Sequence, residues 1–223
     1  MRRQPSPVTP LVLASASPRR RDLLGRLGLP FEVRPVDVVE DVGDGDRPDI
    51  AVRNLARTKA EAARLLDKKS PIIAADTIVV LDNRILGKPR DPAEAREMLN
   101  SLRDRSHQVI TAVAFVPEGD ANPLLRDLVT SVHMRNYSDA EIVESIDRGD
   151  PFDKAGAYGI QDPHLAPVER YEGPTSGSSG CYCNVVGLSL WATIEMLRKA
   201  DIHLDVTVDQ LLPQCADCPL ALV

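Results

Sequence analysis

The chain has 223 residues and is 43% hydrophobic, enough apolar content for one sizeable core, a size compatible with two lobes around a cleft. Its 27 lysines and arginines stand against 33 aspartates and glutamates, a net charge of -6. No overall field therefore draws nucleic acid or an anionic membrane, and any anion must be held by a local cluster. No apolar run approaches the ~20 residues that span a bilayer, MRRQPSPVTP lacks the apolar stretch of a signal peptide, and four cysteines in a chain this long do not suggest a disulfide framework. A cytoplasmic location with reduced thiols is the expectation.

In chain order, PLVLA (Pro10 to Ala14) reads as a buried strand, with Ser17 and Pro18 as N-cap and first residue of a helix whose apolar stripe is Leu23, Leu24 and Leu27. FEVRP follows as a second strand, then an acidic Gly/Asp loop, DVVEDVGDGDRPD, and a helix from about Pro48 to Lys68 striped by Val52, Leu55, Ala62 and Leu66. PIIAAD and TIVVL are strand-like, and Asp82 with Asn83 offers a turn into RILGK. DPAEAREMLNSL reads as a helix capped by Asp91, HQVITAVAFV and LVTSVHMR as strands, and SDAEIVESI as a helix opened by the capping box Ser138 to Glu141. GPTSGSSG reads as a flexible loop, and Leu188 to Lys199 as the last helix before a poorly patterned tail. The alternation predicts an α/β fold on a mixed sheet flanked by helices, with a tail at 1–9, one domain at 10–200 and a second tail at 201–223.

Three local oddities carry chemistry. In SASPRRRDLL, Arg19 and Arg20 sit in a first helical turn, where cations oppose the helix dipole by ~0.3 to 1 kcal/mol each; either they are a solvated cluster or they serve a polyanion at a strand-to-helix turn. Lys59 falls on the same face as Leu55 and Val52, which means a snorkelling side chain or a cation delivered into a cleft. Asp76 ends the apolar run PIIAA, at or near the end of a buried strand, as a turn aspartate or a ligand-binding one. Glu40, in the acidic loop, is a further acid. A P-loop is excluded, since GxxxxGK[ST] is absent.

Taken together, LASASPRRRDLL, AADTIVVLDNRILGKP, DKAGAYGIQ and NVVGLSL, in that order between about Leu11 and about Lys199, resemble the four signatures of the Maf family of nucleoside triphosphate pyrophosphatases. The resemblance implies a mixed-sheet α/β fold with two lobes and a cleft, related in shape to inosine triphosphate pyrophosphatases. It implies hydrolysis of a nucleoside triphosphate to monophosphate and pyrophosphate with a divalent metal, Mg²⁺ or Mn²⁺. By motif position, Asp76 matches the proton acceptor and Glu40 a metal-binding acid, and Asp76 and Glu40 together would hold the metal. Ser15, Arg19, Arg20, Lys59 and Lys88 match phosphate-holding positions, and Arg19, Thr77 and Gln161 match positions associated with choosing the base. The dTTP/UTP branch is the closer likeness; a 7-methyl-GTP pyrophosphatase and a nucleotide-sensing regulator of division without turnover remain alternatives. A homodimer is implied by resemblance, and neither nucleic acid nor membrane is an expected partner.

Ser189 departs from the family's usual proline, and Asp162 with Pro163 follows Gln161 where glycine is common. The pairs Cys181/Cys183 and Cys215/Cys218 read either as free thiols or as a zinc clip. His107 reads as a structural histidine and Trp191 as core.

Overall fold

The computed structural model describes residues 10–39, 47–120, 122–173, 180–206 and 211–215. Its centre is a seven-stranded mixed sheet among the described residues, in the order β2-β1-β3-β5-β6-β7, with β4 paired to β3. The strands are β1 (Leu11–Leu13), β2 (Phe31–Val33), β3 (Ile72–Leu81), β4 (Arg84–Leu86), β5 (Ser106–Val116), β6 (Leu124–Met134) and β7 (Val168–Glu172). β1 runs parallel to β2 and β3, and the remaining pairs are antiparallel. The helices are α1 (Pro18–Gly25), α2 (Pro48–Leu66), α3 (Pro92–Leu102), α4 (Asp139–Asp147), α5 (Tyr182–Val186) and α6 (Leu190–Lys199).

The local signals explain most of these boundaries. Ser17 accepts from the Arg20 amide to cap α1, Asp91 from Glu94 to cap α3, and Ser138 and Glu141 close a full capping box on α4. Asp82 and Asn83 both adopt positive φ, 49° and 62°, which folds β3 back into β4 through a two-residue turn.

Period-two alternation along β3 divides the core. Ile72, Ala74, Ile78 and Val80 face α2, joining Val52, Ala56, Ala60 and Ala63. Ile73 and Ala75 face the opposite layer, with α1, α6, Val113 and Phe115. Val79 and Leu81 continue into a third cluster with α3 and Tyr137.

Several sequence expectations need correction. PIIAAD and TIVVL are one ten-residue strand, so Asp76 lies mid-strand, not at a strand end; a lysine on the facing helix satisfies its carboxylate and lets the ladder continue. The α2 stripe runs through Ala56, Ala60 and Ala63, whose small side chains sit against the sheet, whereas Ala62 is half-buried and Leu66 is exposed on the helix's last turn. β7 and the short α5 were not expected, and the final helix begins at Leu190. Beyond it, Ile202, Leu204, Val206, Leu211, Leu212 and Cys215 pack on the α6 core. The expected flexible loop falls largely on 174–179, and the N-terminal tail on 1–9, both outside the described residues.

Candidate active site

A break in sheet pairing builds the site. On one edge of β3, β1 pairs only as far as Leu13 opposite Ile73, and β4 begins pairing only at Val79. On the other edge β5 pairs without interruption from Ile72 to Val80. Where β1 stops, the chain turns through Ser15 into α1. The middle of β3 therefore borders a cleft of about 1430 Å³, and both faces of the strand reach it.

Ser15, Arg19, Arg20, Lys59, Asp76, Thr77, Lys88 and Gln161 all line this one cleft. Glu40, the remaining expected site residue, lies outside the described residues. Residues from five stretches of sequence thus converge, because α1, α2 and the β3-β4 hairpin all meet at the unpaired segment.

Alternation dictates the partners. Asp76, on the α2 face of β3, forms an ion pair with Lys59 through Oδ1, and the two residues are only 6% and 8% exposed. The opposite residue on β5 is Ala112, which leaves the carboxylate room. A lysine so rarely buried without a partner has one here.

Thr77, one residue on, faces the other layer and meets Arg20. The Arg20 guanidinium donates through Nε to the Gly187 carbonyl at 2.8 Å, through Nη1 to Ser15 Oγ at 3.3 Å and through Nη2 to Thr77 Oγ1 at 3.2 Å. Gly187 has φ of 122°, and a Cβ there would stand 3.4 Å from Thr77 Oγ1 and 3.7 Å from Arg20 Nε. The contacts would be ordinary, so it is the positive φ that calls for glycine. Ser15 also accepts from the Ser17 amide at 3.2 Å, which orders the turn into α1.

Arg19 pairs with Asp153 at 2.7 Å, and Lys154 pairs with the same carboxylate at 2.6 Å. Burial acts to raise the Asp153 carboxyl, but Lys154 and Arg19 outweigh it and hold the group below its ordinary value. Lys88 and Gln161 are exposed at the rim. The two rims are tied together, since the Gly156 amide donates to the Gly87 carbonyl at 3.0 Å. Gly156 has φ of 69°, and a Cβ on it would come within 3.0 Å of Val79.

Sequence reasoning gave no role to Asp153, Lys154, Thr111, Asn184 or Gly187. DK and NVVG stand inside the quoted signatures, so a signal was present for four of them. Thr111 sits in an unremarkable strand, and only strand register brings it opposite Thr77.

Away from the cleft, Cys181, Cys183 and Cys215 are buried free thiols, with Cys183 and Cys215 Sγ atoms 3.6 Å apart. Cys218 lies outside the described residues, and among those described no three side chains form a metal-ligating group. His107 is buried, with Nε2 2.6 Å from the Tyr158 hydroxyl, and Trp191 packs half-buried against the α6 core. No described helix is long and apolar enough to cross a membrane.

Residues 10–200 match the family model described as "Maf-like protein". A dTTP/UTP pyrophosphatase of Thermomicrobium roseum is 47% identical over 213 residues, 95% of this chain and 94% of that protein. A dTTP/UTP pyrophosphatase of Salinibacter ruber is 45% identical over 193 residues, 86% of this chain and 91% of its own length. The solved structure of a HAM1 protein from Coxiella burnetii is 17% identical, covering 85% of this chain and 98% of that one, with a TM-score of 0.48. With a family match spanning most of its length and relatives this similar, the chain belongs to the Maf family.

Proposed function

We propose that the protein hydrolyses nucleoside triphosphates of the dTTP and UTP type, or modified pyrimidine nucleotides, to the monophosphate and pyrophosphate. One observation carries this reading: arginines and lysines from separate elements border a single cleft that also contains the buried carboxylate of Asp76. A triphosphate brings about four negative charges, and breaking its α–β bridge loads further charge on the pyrophosphate that leaves.

In this reading Arg20 binds phosphate oxygens with fork geometry, and Lys59 and Lys88 act as point charges. Ser15 orients Arg20, and Arg19, Thr77 and Gln161 contact the nucleoside end. Asp76 accepts the proton of a water whose oxygen attacks the α-phosphorus, while the bond from that phosphorus to the bridging oxygen breaks and pyrophosphate departs. Release of Lys59 from Asp76 when phosphates arrive would free both groups for these tasks.

A hard divalent cation suits this donor set, because Mg²⁺ is commonly held by one or two carboxylates together with substrate phosphates. Asp76 and Glu40 would hold Mg²⁺ or Mn²⁺, which when bound polarises the phosphoryl group and acidifies a water.

The deciding experiment gives the full chain dTTP, UTP, CTP, GTP and 7-methyl-GTP, with and without Mg²⁺ or Mn²⁺, reading pyrophosphate separately from orthophosphate. Pyrophosphate equal to monophosphate is expected, with turnover nearly abolished in Asp76→Asn. Orthophosphate as the first product would refute the reaction assigned here, and binding without any product would favour the regulator.

A further inference from the structure

A hydrogen-bond chain runs from the cleft into the core, and the chemistry of its ends fixes its direction. Arg20 Nη2 can only donate, and it stands 3.2 Å from Thr77 Oγ1. The Asn184 main-chain carbonyl can only accept, and it stands 2.7 Å from Thr111 Oγ1. Thr111 therefore gives its one hydroxyl proton to Asn184, and must accept from Thr77, whose Oγ1 is 2.9 Å away. The alternative acceptor for Thr77 is the Gly187 carbonyl at 3.5 Å. At that length it is a poor competitor for the Thr77 proton, which goes to Thr111, so toward the cleft the Thr77 oxygen offers a lone pair and no donor.

The far end of this chain is rigid. Asn184 is fully buried, and its Nδ2 donates to the Val109 carbonyl and to Thr130 Oγ1, both at 3.0 Å. Thr111 is also fully buried. Neither residue borders the cleft, whereas half-buried Thr77 does.

We propose that Thr111 and Asn184 are positioning residues that hold Thr77 as an acceptor, and that this acceptor selects a base carrying an imide N–H, as uracil and thymine do, over cytosine, whose N3 is itself an acceptor. The inference rests on the nucleotide reading above. Phosphate oxygens present acceptors, so Thr77 is useless to the polyphosphate. Of the sugar groups that could donate, the 2′-hydroxyl is absent from dTTP and the 3′-hydroxyl is shared by CTP and so selects nothing, whereas the imide is common to both pyrimidines named for the relatives and absent from cytosine.

The test compares UTP, CTP and 3-methyl-UTP, which lacks the imide proton, with the unaltered full chain and with Thr111→Val and Thr111→Ser. The unaltered protein should favour UTP over both others by about tenfold or more, the worth of one hydrogen bond. Thr111→Val frees the Thr77 proton to turn into the cleft, and the UTP-to-CTP ratio of kcat/KM should fall about tenfold through KM; Thr111→Ser should keep the ratio. A merely structural role would lower turnover of all three nucleotides alike. Equal use of UTP and 3-methyl-UTP by the unaltered protein overturns the inference even if Thr111→Val fails to fold, and so does an unchanged ratio in a folded Thr111→Val. Pyrophosphate release without this selectivity sinks the inference alone; no pyrophosphate from any nucleotide sinks the functional reading with it.

Discussion

The Lys59–Asp76 pair can be separated into a structural and a chemical part. Lys59→Met leaves the Asp76 carboxylate in the wall of the cleft without that cation. Breaking a buried pair from one side costs about 3–5 kcal/mol, and side-chain exposures of 10% and 9% at the cleft wall place this one near the lower end, about 3 kcal/mol. For a chain of this size that lowers Tm by about 6–12 °C. The double variant Lys59→Met/Asp76→Leu replaces the pair by apolar side chains beside Ala112 and Ala56, and should recover most of the loss, since such replacements are often neutral. Calorimetric or urea unfolding of wild type, both singles and the double gives the coupling energy. Pyrophosphate release from UTP on the same four proteins should be nearly absent in all three variants, so the double folds well and does nothing. Single-variant losses that simply add, or a Lys59→Met protein as stable as wild type, would refute the reasoning.

Arg20→Lys keeps the charge but cannot reach Gly187, Ser15 and Thr77 together, so kcat/KM should fall about 10²-fold, the worth of a preorganised donor; a change within about twofold in steady-state kinetics would contradict its fork role. Gly187→Ala places a side chain at φ of 122° beside Thr77 and Arg20, which should cost about 1–3 kcal/mol in urea unfolding and raise KM; wild-type values in both would show that the positive φ does not require glycine. His107 is pushed down from 6.5 to about 3, chiefly by burial and further by nearby His133. A depressed histidine is neutral when folded and takes up its proton on unfolding, so its contribution is complete above pH 6.5 and is lost as pH falls from there toward 3, at about 1.4 kcal/mol per unit. Urea midpoints between pH 7 and pH 5 should drop accordingly in wild type and more shallowly in His107→Phe; identical slopes would remove His107 as the cause.

How much of this was legible before folding depended on the range of the interaction. Caps are local, so Ser17, Asp91 and the Ser138–Glu141 box could be read directly, as could the positive-φ turn at Asp82 and Asn83. The face of Lys59 also followed from helical period, because residues four and seven apart share a side. Leu66 was misread by the same rule: spacing gives direction around a helix but not where the sheet beneath it ends. β7 and α5 went unseen because VERYE and YCNVV carry weak patterns, and their partners lie distant in sequence: Tyr171 pairs with Val132, and Thr111 donates to Asn184.

Asp76 and Thr77 show the same limit at its most consequential. Read along the chain, a charged residue after PIIAA looks like the end of a strand, because an unpaired carboxylate inside a sheet is costly. The penalty is removed by Lys59, seventeen residues earlier, which only tertiary packing brings into contact. Adjacent residues of a strand must then point to opposite faces, so Asp76 meets α2 and Thr77 meets Arg20 on α1. One cleft can use both because β1 ends at Leu13 and β4 does not pair until Val79, leaving the strand between them without a strand partner on that edge among the described residues. The candidate site is thus a consequence of two strand lengths. Lengthening β1 by replacing the Ser15-Ala16-Ser17-Pro18 turn would close the gap and bury the carboxylate with the strand, whatever residues remained to do the chemistry.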